Sequence, residues 1–183
     1  MADLIARSPC MGLLPLEQGG VSVTELDPGP MTLVAPYKGQ AAALSKAMKV
    51  AHGVGFPAAN TTETGKGVEA AWFGRDQALL IGAVPDAALA DHAALSDQGD
   101  AWAVVRVAGE GAEDVLARLI PVDLRDSAFP PGRSIRTQIG HMAGAVTRLP
   151  DGAVRLMVFR SMAGTLVHDL DRAMTHCAAR GTG

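Results

Sequence analysis

The amino-acid sequence predicts an α+β domain made of two halves, each running β-α-β-β-α, and three observations lead there. Short apolar runs of strand length alternate with stretches of helical spacing. The same order of elements occurs once before residue 99 and again after it. The chain has 183 residues, 48% of them hydrophobic and 19% charged, which is enough to bury one core and too few for two independent domains. The expected organisation is an irregular N-terminal arm over 1–30 followed by a single α+β domain over 31–183, with halves at about 31–98 and 99–183.

The elements follow in order. The arm carries Pro15, Gly19, Gly20, Pro28, Gly29 and Pro30, which interrupt regular structure around one short strand expected at 21–26. Residues 31–35 read as a buried strand. Helical spacing over 39–52 puts Ala41, Leu44, Ala47, Met48 and Ala51 on one side, and Gly53 follows as the C-cap. A loop rich in Gly, Pro, Asn and Thr runs over 53–67. Strands at 68–73 and 77–84 are joined across Gly74-Arg75-Asp76, a hairpin signature. Pro85-Asp86 opens a short helix expected to reach Leu95.

The second half begins with a strand at 101–108, a helix at 111–120 and a loop at 121–132. One strand over 134–141, extended to 148, and another at 154–159 come next. Residues 162–178 form the clearest helix: Met162, Leu166, Val167, Leu170, Ala173, Met174 and Cys177 make one stripe, with Asp169, Asp171, Arg172 and His176 outside it. A further strand in each half would complete a split β-α-β plan, with antiparallel sheets packed under helices.

Composition excludes several function classes. Aromatics are only 4% and the formal charge is −3, so a nucleic-acid binder, with its basic excess and stacking platforms, is not expected. Apolar stretches such as 77–85 are far short of the ~20 residues of a membrane span. The N-terminus lacks the basic start and apolar run of a signal peptide. The two cysteines, Cys10 and Cys177, are too few for a disulfide scaffold or a zinc finger, so free thiols in a cytoplasmic protein are expected. Up to Gly99 there are 6 basic and 10 acidic residues; beyond it there are 10 and 9, every basic one an Arg. Compositional bias explains that run of Arg, as does a contact face lined with bidentate guanidinium groups.

Motif by motif, no catalytic set emerges. Gly109-Glu110-Gly111 lies between a strand and a helix, where a dinucleotide fingerprint would sit, but Asp114 occupies the third glycine position. Glu110, Glu113 and Asp114 would oppose a pyrophosphate and instead suit a helix N-terminus. Gly65-Lys66-Gly67 lacks the hydroxyl a P-loop needs after its lysine. His52, His92, His141, His168 and His176 show no metal spacing. His141 follows Gly140 in a strand region and suits a buried or interface position. Ser161 opens the last helix, where an N-cap is its simplest role. No serine sits in a nucleophile elbow. Read alone, the residues describe a binding or structural subunit.

Several segments resemble the gamma-subunit family of heterotetrameric sarcosine oxidases. They are 69–80 around Trp72, Gly74 and Asp76; 96–102 ending at Trp102, with 107–116 behind it; 121–125 with Asp123 and Arg125; 136–142 with Arg136, Gly140 and His141; and 159–170 with Arg160, Ser161, His168 and Asp169. The resemblance implies a complex that demethylates sarcosine to glycine, passing electrons to oxygen to give hydrogen peroxide. The methyl carbon leaves as formaldehyde or as methylene-tetrahydrofolate.

It implies alpha, beta and delta subunits as partners. FAD, FMN, NAD, tetrahydrofolate and zinc would be held by those partners and none by this chain. It also implies a fold like the folate-binding domain of aminomethyltransferase-type proteins, in a non-catalytic subunit whose isolated chain is inactive. The interface candidates are Arg136, His141, Arg160 and Ser161, the two arginines serving either partner contacts or internal carboxylate pairs. The alternative is a stand-alone tetrahydrofolate-binding one-carbon module. That module would need a deep pocket with convergent polar groups and a carboxylate for the pterin ring.

Overall fold

The computed structural model describes residues 5–180. In chain order come β1 (Leu16–Gln18), β2 (Val21–Glu25), β3 (Met31–Pro36), α1 (Ala41–His52), β4 (Thr62–Gly65), β5 (Val68–Gly74), β6 (Gln77–Ile81), a 3-10 turn (Ala87–Asp91) and β7 (Ala93–Asp97). The second part adds β8 (Trp102–Gly109), α2 (Ala112–Leu116), β9 (Ser134–Ile139), β10 (Met142–Arg148), β11 (Val154–Phe159), a 3-10 turn (Arg160–Met162) and α3 (Ala163–Ala178). The class is α+β. Two antiparallel sheets form, one ordered β1-β2-β8-β11-β10-β9 and the other β4-β5-β6-β3-β7.

Three apolar clusters show how the layers stack. Leu166, Leu170 and Met174 of α3, with Val115 and Leu116 of α2, bury against Val23, Val105, Val107, Val146 and Leu156 of the six-stranded sheet. The other face of that sheet presents Val104, Ala145 and Met157 to Met31, Ala71, Phe73 and Leu79 of the five-stranded sheet. The far face of the latter packs Val34, Ala70 and Leu80 against Leu44 and Met48 of α1. The order is therefore helix, sheet, sheet, helix, and period-2 alternation decides which side chain enters which layer.

Both long helices form where their apolar spacing predicts them. Gly53 closes α1 in the left-handed region at φ 74, its N–H donating to the Lys49 carbonyl. The buried stripe of α3 is Leu166, Val167, Leu170, Ala173 and Met174, as its periodicity requires.

Other elements differ from expectation. Among the described residues of the arm, the strand expected at 21–26 forms as β2, but β1 precedes it and both belong to the six-stranded sheet, where Val23 pairs with Val107 and both are fully buried. The stretch after Pro85 is not one helix. Asp86 accepts a hydrogen bond from the Ala88 N–H, a single 3-10 turn follows, and the chain then turns extended so that Leu95 pairs with Val34. Without β7 the edge of β3 would be left without partners, and that outweighs the helical preference of its alanines.

Residues 134–148 form two strands, with Met142 facing Ile139 across Gly140-His141 and Gly140 at φ 58. The expected helix at 111–120 is only the short α2, and a strand lies within the expected loop at 62–65. Ser161 does not cap α3; it lies inside the 3-10 turn before it, and α3 has no side-chain cap.

Candidate functional site

The register of the six-stranded sheet sets two rows of side chains on the face that meets the other sheet. One row runs Ser134, Thr147, Arg155, Arg106. Arg155 crosses the interlayer to Glu69 on β5 in a bidentate pair, at 2.7 and 2.6 Å. The two side chains are 7% and 15% exposed. The Thr147 hydroxyl lies 3.4 Å from Arg155 Nη2 and 3.0 Å from Ser134 Oγ, while Arg155 Nε is buried without a hydrogen-bond partner. A cavity of about 220 Å³ opens beside this network, lined by Thr62, Thr64, Glu69, Gly132, Thr147 and Arg148.

The next row runs Arg136, Ala145, Met157, Val104. The Arg136 guanidinium lies 4.3 Å from the centre of the Phe73 ring and 5.4 Å from that of Trp102. Phe73 meets Trp102 edge-on at 5.2 Å, and Trp102 stacks on Phe159 at 4.8 Å. The indole N–H of Trp102 donates to Gln98 Oε1 at 3.2 Å. Burial pulls Arg136 below the ordinary arginine value.

The end of β9, the start of β10, the end of β11 and the start of β8 meet at one end of the sheet; His141, Arg160 and Ser161 lie just beyond these strand ends, and Arg136 lies within β9. Arg136 faces the interlayer. Arg160 follows Phe159, lies 3.7 Å from Asp100 and donates to the Arg7 carbonyl. Ser161 is exposed beside it. His141 is exposed in the β9–β10 turn, in a depression of about 350 Å³ shared with Arg118, Asp169, Arg172 and His176 toward α3. Arg160, Trp102, Glu25, Asp27 and Asp100 line the largest of these cavities, about 550 Å³. Its carboxylates already have donors from the chain. Glu25 accepts from Ser8 Oγ at 2.6 Å and from the Cys10 N–H at 2.8 Å, and Asp27 accepts from the Gly29 N–H at 2.9 Å.

Two functional-looking arginines escaped the sequence reading. Arg148 is buried and pins the 117–133 segment: it donates to the Phe129 carbonyl at 3.2 Å, the Leu124 carbonyl and Glu113 at 2.8 Å, and also to the Gly152 carbonyl at 2.8 Å. No local signal marks it. Arg155 had one: it occupies an inward position in the otherwise apolar strand Val154–Phe159. Among the described residues no group of three His, Cys, Asp or Glu side chains gathers to hold a metal. No helix among them is long and apolar enough to cross a membrane.

No family model matches the sequence. No curated protein matches it either. Solved structures do. A chain of heterotetrameric sarcosine oxidase from Corynebacterium sp. U-96, solved in complex with pyrrole 2-carboxylate, matches with a TM-score of 0.78. The match covers 94% of this chain and 96% of that one, at 24% identity. The fold is that of a sarcosine oxidase chain.

Proposed function

We propose that this protein is a subunit of a heterotetrameric sarcosine oxidase, in the gamma position, and that it stabilises the complex without carrying its chemistry. The observation that carries this reading is the extent of the likeness: it covers 94% of this chain and 96% of the sarcosine oxidase chain, with a TM-score of 0.78. The reaction of the complex is the oxidation of sarcosine by oxygen, with water, to glycine, formaldehyde and hydrogen peroxide, or to methylene-tetrahydrofolate in place of formaldehyde. Partner alpha, beta and delta subunits supply FAD, FMN, NAD, the folate site and zinc. Arg136, His141, Arg160 and Ser161, at one end of the six-stranded sheet, form the contact region.

The two-halves plan has topological support. The order β4-β5-β6-β3-β7 of one sheet corresponds strand by strand to β9-β10-β11-β8-β2 of the other, with α1 following β3 as α2 follows β8. The first half closes its sheet with its own last strand, whereas the second borrows β2 from the N-terminus.

The test is co-purification of a tagged copy from the native cells, with a flavin spectrum and a sarcosine-dependent peroxide assay on the eluate. A yellow, peroxide-forming complex with larger subunits is expected; a colourless lone chain from cells expressing sarcosine oxidase refutes the reading. The alternative of a tetrahydrofolate-binding module draws on the 550 Å³ cavity beside Trp102. Titration of the isolated chain with tetrahydrofolate, read by tryptophan fluorescence, shows saturable quenching only if that module is right.

A further inference from the structure

Arg136 differs from the other interior arginines. Arg155 meets Glu69 in a bidentate pair, and Arg148 is surrounded by three carbonyls and Glu113. At the surface, Arg106 pairs with Asp151 at 2.7 Å and Arg125 with Asp123 at 2.5 Å. The half-buried guanidinium of Arg136 lies over the Phe73 ring and beside Trp102, and among the described residues no acceptor takes its five N–H donors. Contact with two rings restricts the guanidinium and leaves its N–H donors to an incoming group. Partial desolvation without a paired anion is a cost that an incoming carboxylate removes.

The surroundings fit a protein partner. Phe159, stacked on the same Trp102, is 49% exposed. Gln138 and Ala143, which pair with each other on the same side of the sheet, are exposed too. The strand β9 is the outer strand of its sheet. The loop before β4 covers only its start, through the Ser134 N–H to the Asn60 carbonyl at 3.1 Å. An unpaired cation next to an exposed aromatic ring at a sheet edge matches the Arg and aromatic anchors of subunit interfaces.

We infer that this end of the six-stranded sheet docks a partner subunit that brings an Asp or Glu carboxylate into a bidentate pair with Arg136 and lays apolar surface on Phe159. The inference rests on the subunit reading and specifies its contact.

The experiment uses a tagged full-length chain expressed in the native cells, as wild type, Arg136→Met, Arg136→Glu, Arg136→Lys and Arg75→Glu, the last a control on an exposed hairpin of the other sheet. Captured subunits are identified by mass spectrometry and flavin content. The expected result is a loss of capture of roughly 10-fold or more for Arg136→Met and Arg136→Glu and none for Arg75→Glu. The melting temperature of the isolated Arg136→Met chain stays at or above that of wild type, since no hydrogen bond within the chain is lost. In the Arg136→Lys complex, carbodiimide joins the introduced amine to an Asp or Glu of the captured subunit.

Flavin-bearing subunits captured equally by wild type and Arg136→Glu overturn the docking and leave the subunit reading standing. A flavin-free partner lost in Arg136→Glu and cross-linked through Arg136→Lys removes the sarcosine oxidase reading and leaves the docking. No partner captured by wild type overturns both. A melting temperature lowered in Arg136→Met along with capture makes the arginine structural and overturns the docking. So does binding of free acetate or sarcosine at Arg136 with assembly unchanged.

Discussion

The Cys10 side chain is buried against Val21 and Val23 while its backbone N–H donates to Glu25. Burial, with the Glu25 charge and hydrogen bond adding to it, pushes the thiol from 9.0 up to about 11. The folded state therefore holds this proton more tightly than the unfolded chain does. The resulting stabilisation is complete below pH 9 and is lost as the pH rises through about 11. Urea midpoints measured at pH 8 and pH 10.5 should fall further between the two for wild type than for Cys10→Ala. At the surface, the hydrogen bond from the Arg125 side chain holds the Asp123 carboxyl at about 2 in place of 3.8. Arg125→Ala returns it toward 3.8, as carboxyl NMR titration will show. Arg148 was not legible in the sequence, since its partners Phe129, Glu113 and Gly152 come together only in three dimensions.

Between elements, the Glu69–Arg155 pair ties β5 of one sheet to β11 of the other across 86 residues of sequence. Removing one charge leaves the other buried without its counter-ion, so Glu69→Gln is expected to cost about 3–5 kcal/mol in urea unfolding. The double variant Glu69→Leu with Arg155→Met recovers most of that loss, because packed apolar side chains replace both desolvated ions. Gly109 ends β8 at φ 115, where an added Cβ would lie 1.9 Å from the Gly20 carbonyl oxygen. Gly109→Ala is expected to cost at least about 2 kcal/mol, by the same measurement, through backbone displacement at the β2–β8 pairing. The sequence located α1, α3 and the β5–β6 hairpin because their periodicity and turn residues are local. It missed β7 because the alanines at Ala87, Ala88 and Ala90 favour helix while the unpaired edge of β3 demands a strand.

For the whole molecule, the borrowed strand matters most. Val21 and Val23 of β2 are 3% and 0% exposed in the core under α2 and α3, although they belong to the segment first read as an arm. Deleting residues 1–26 should abolish cooperative unfolding by circular dichroism, and a separate 99–183 fragment should remain unfolded until a 1–30 peptide is added. An arm that merely covers the surface would leave both unfolding curves intact.

The amino-acid sequence by itself determined the α+β class, the two long helices, most strands and the short segments that resemble a sarcosine oxidase subunit, since these depend on period and short-range residue chemistry. Only the tertiary structure decided that β2 completes the sheet of the second half, that Glu69 and Arg155 bridge the layers, and that Arg136 lies against two rings with no acceptor among the described residues. Those outcomes come from contacts between distant segments, where pairing backbone donors and acceptors and burying apolar surface outweigh local preference.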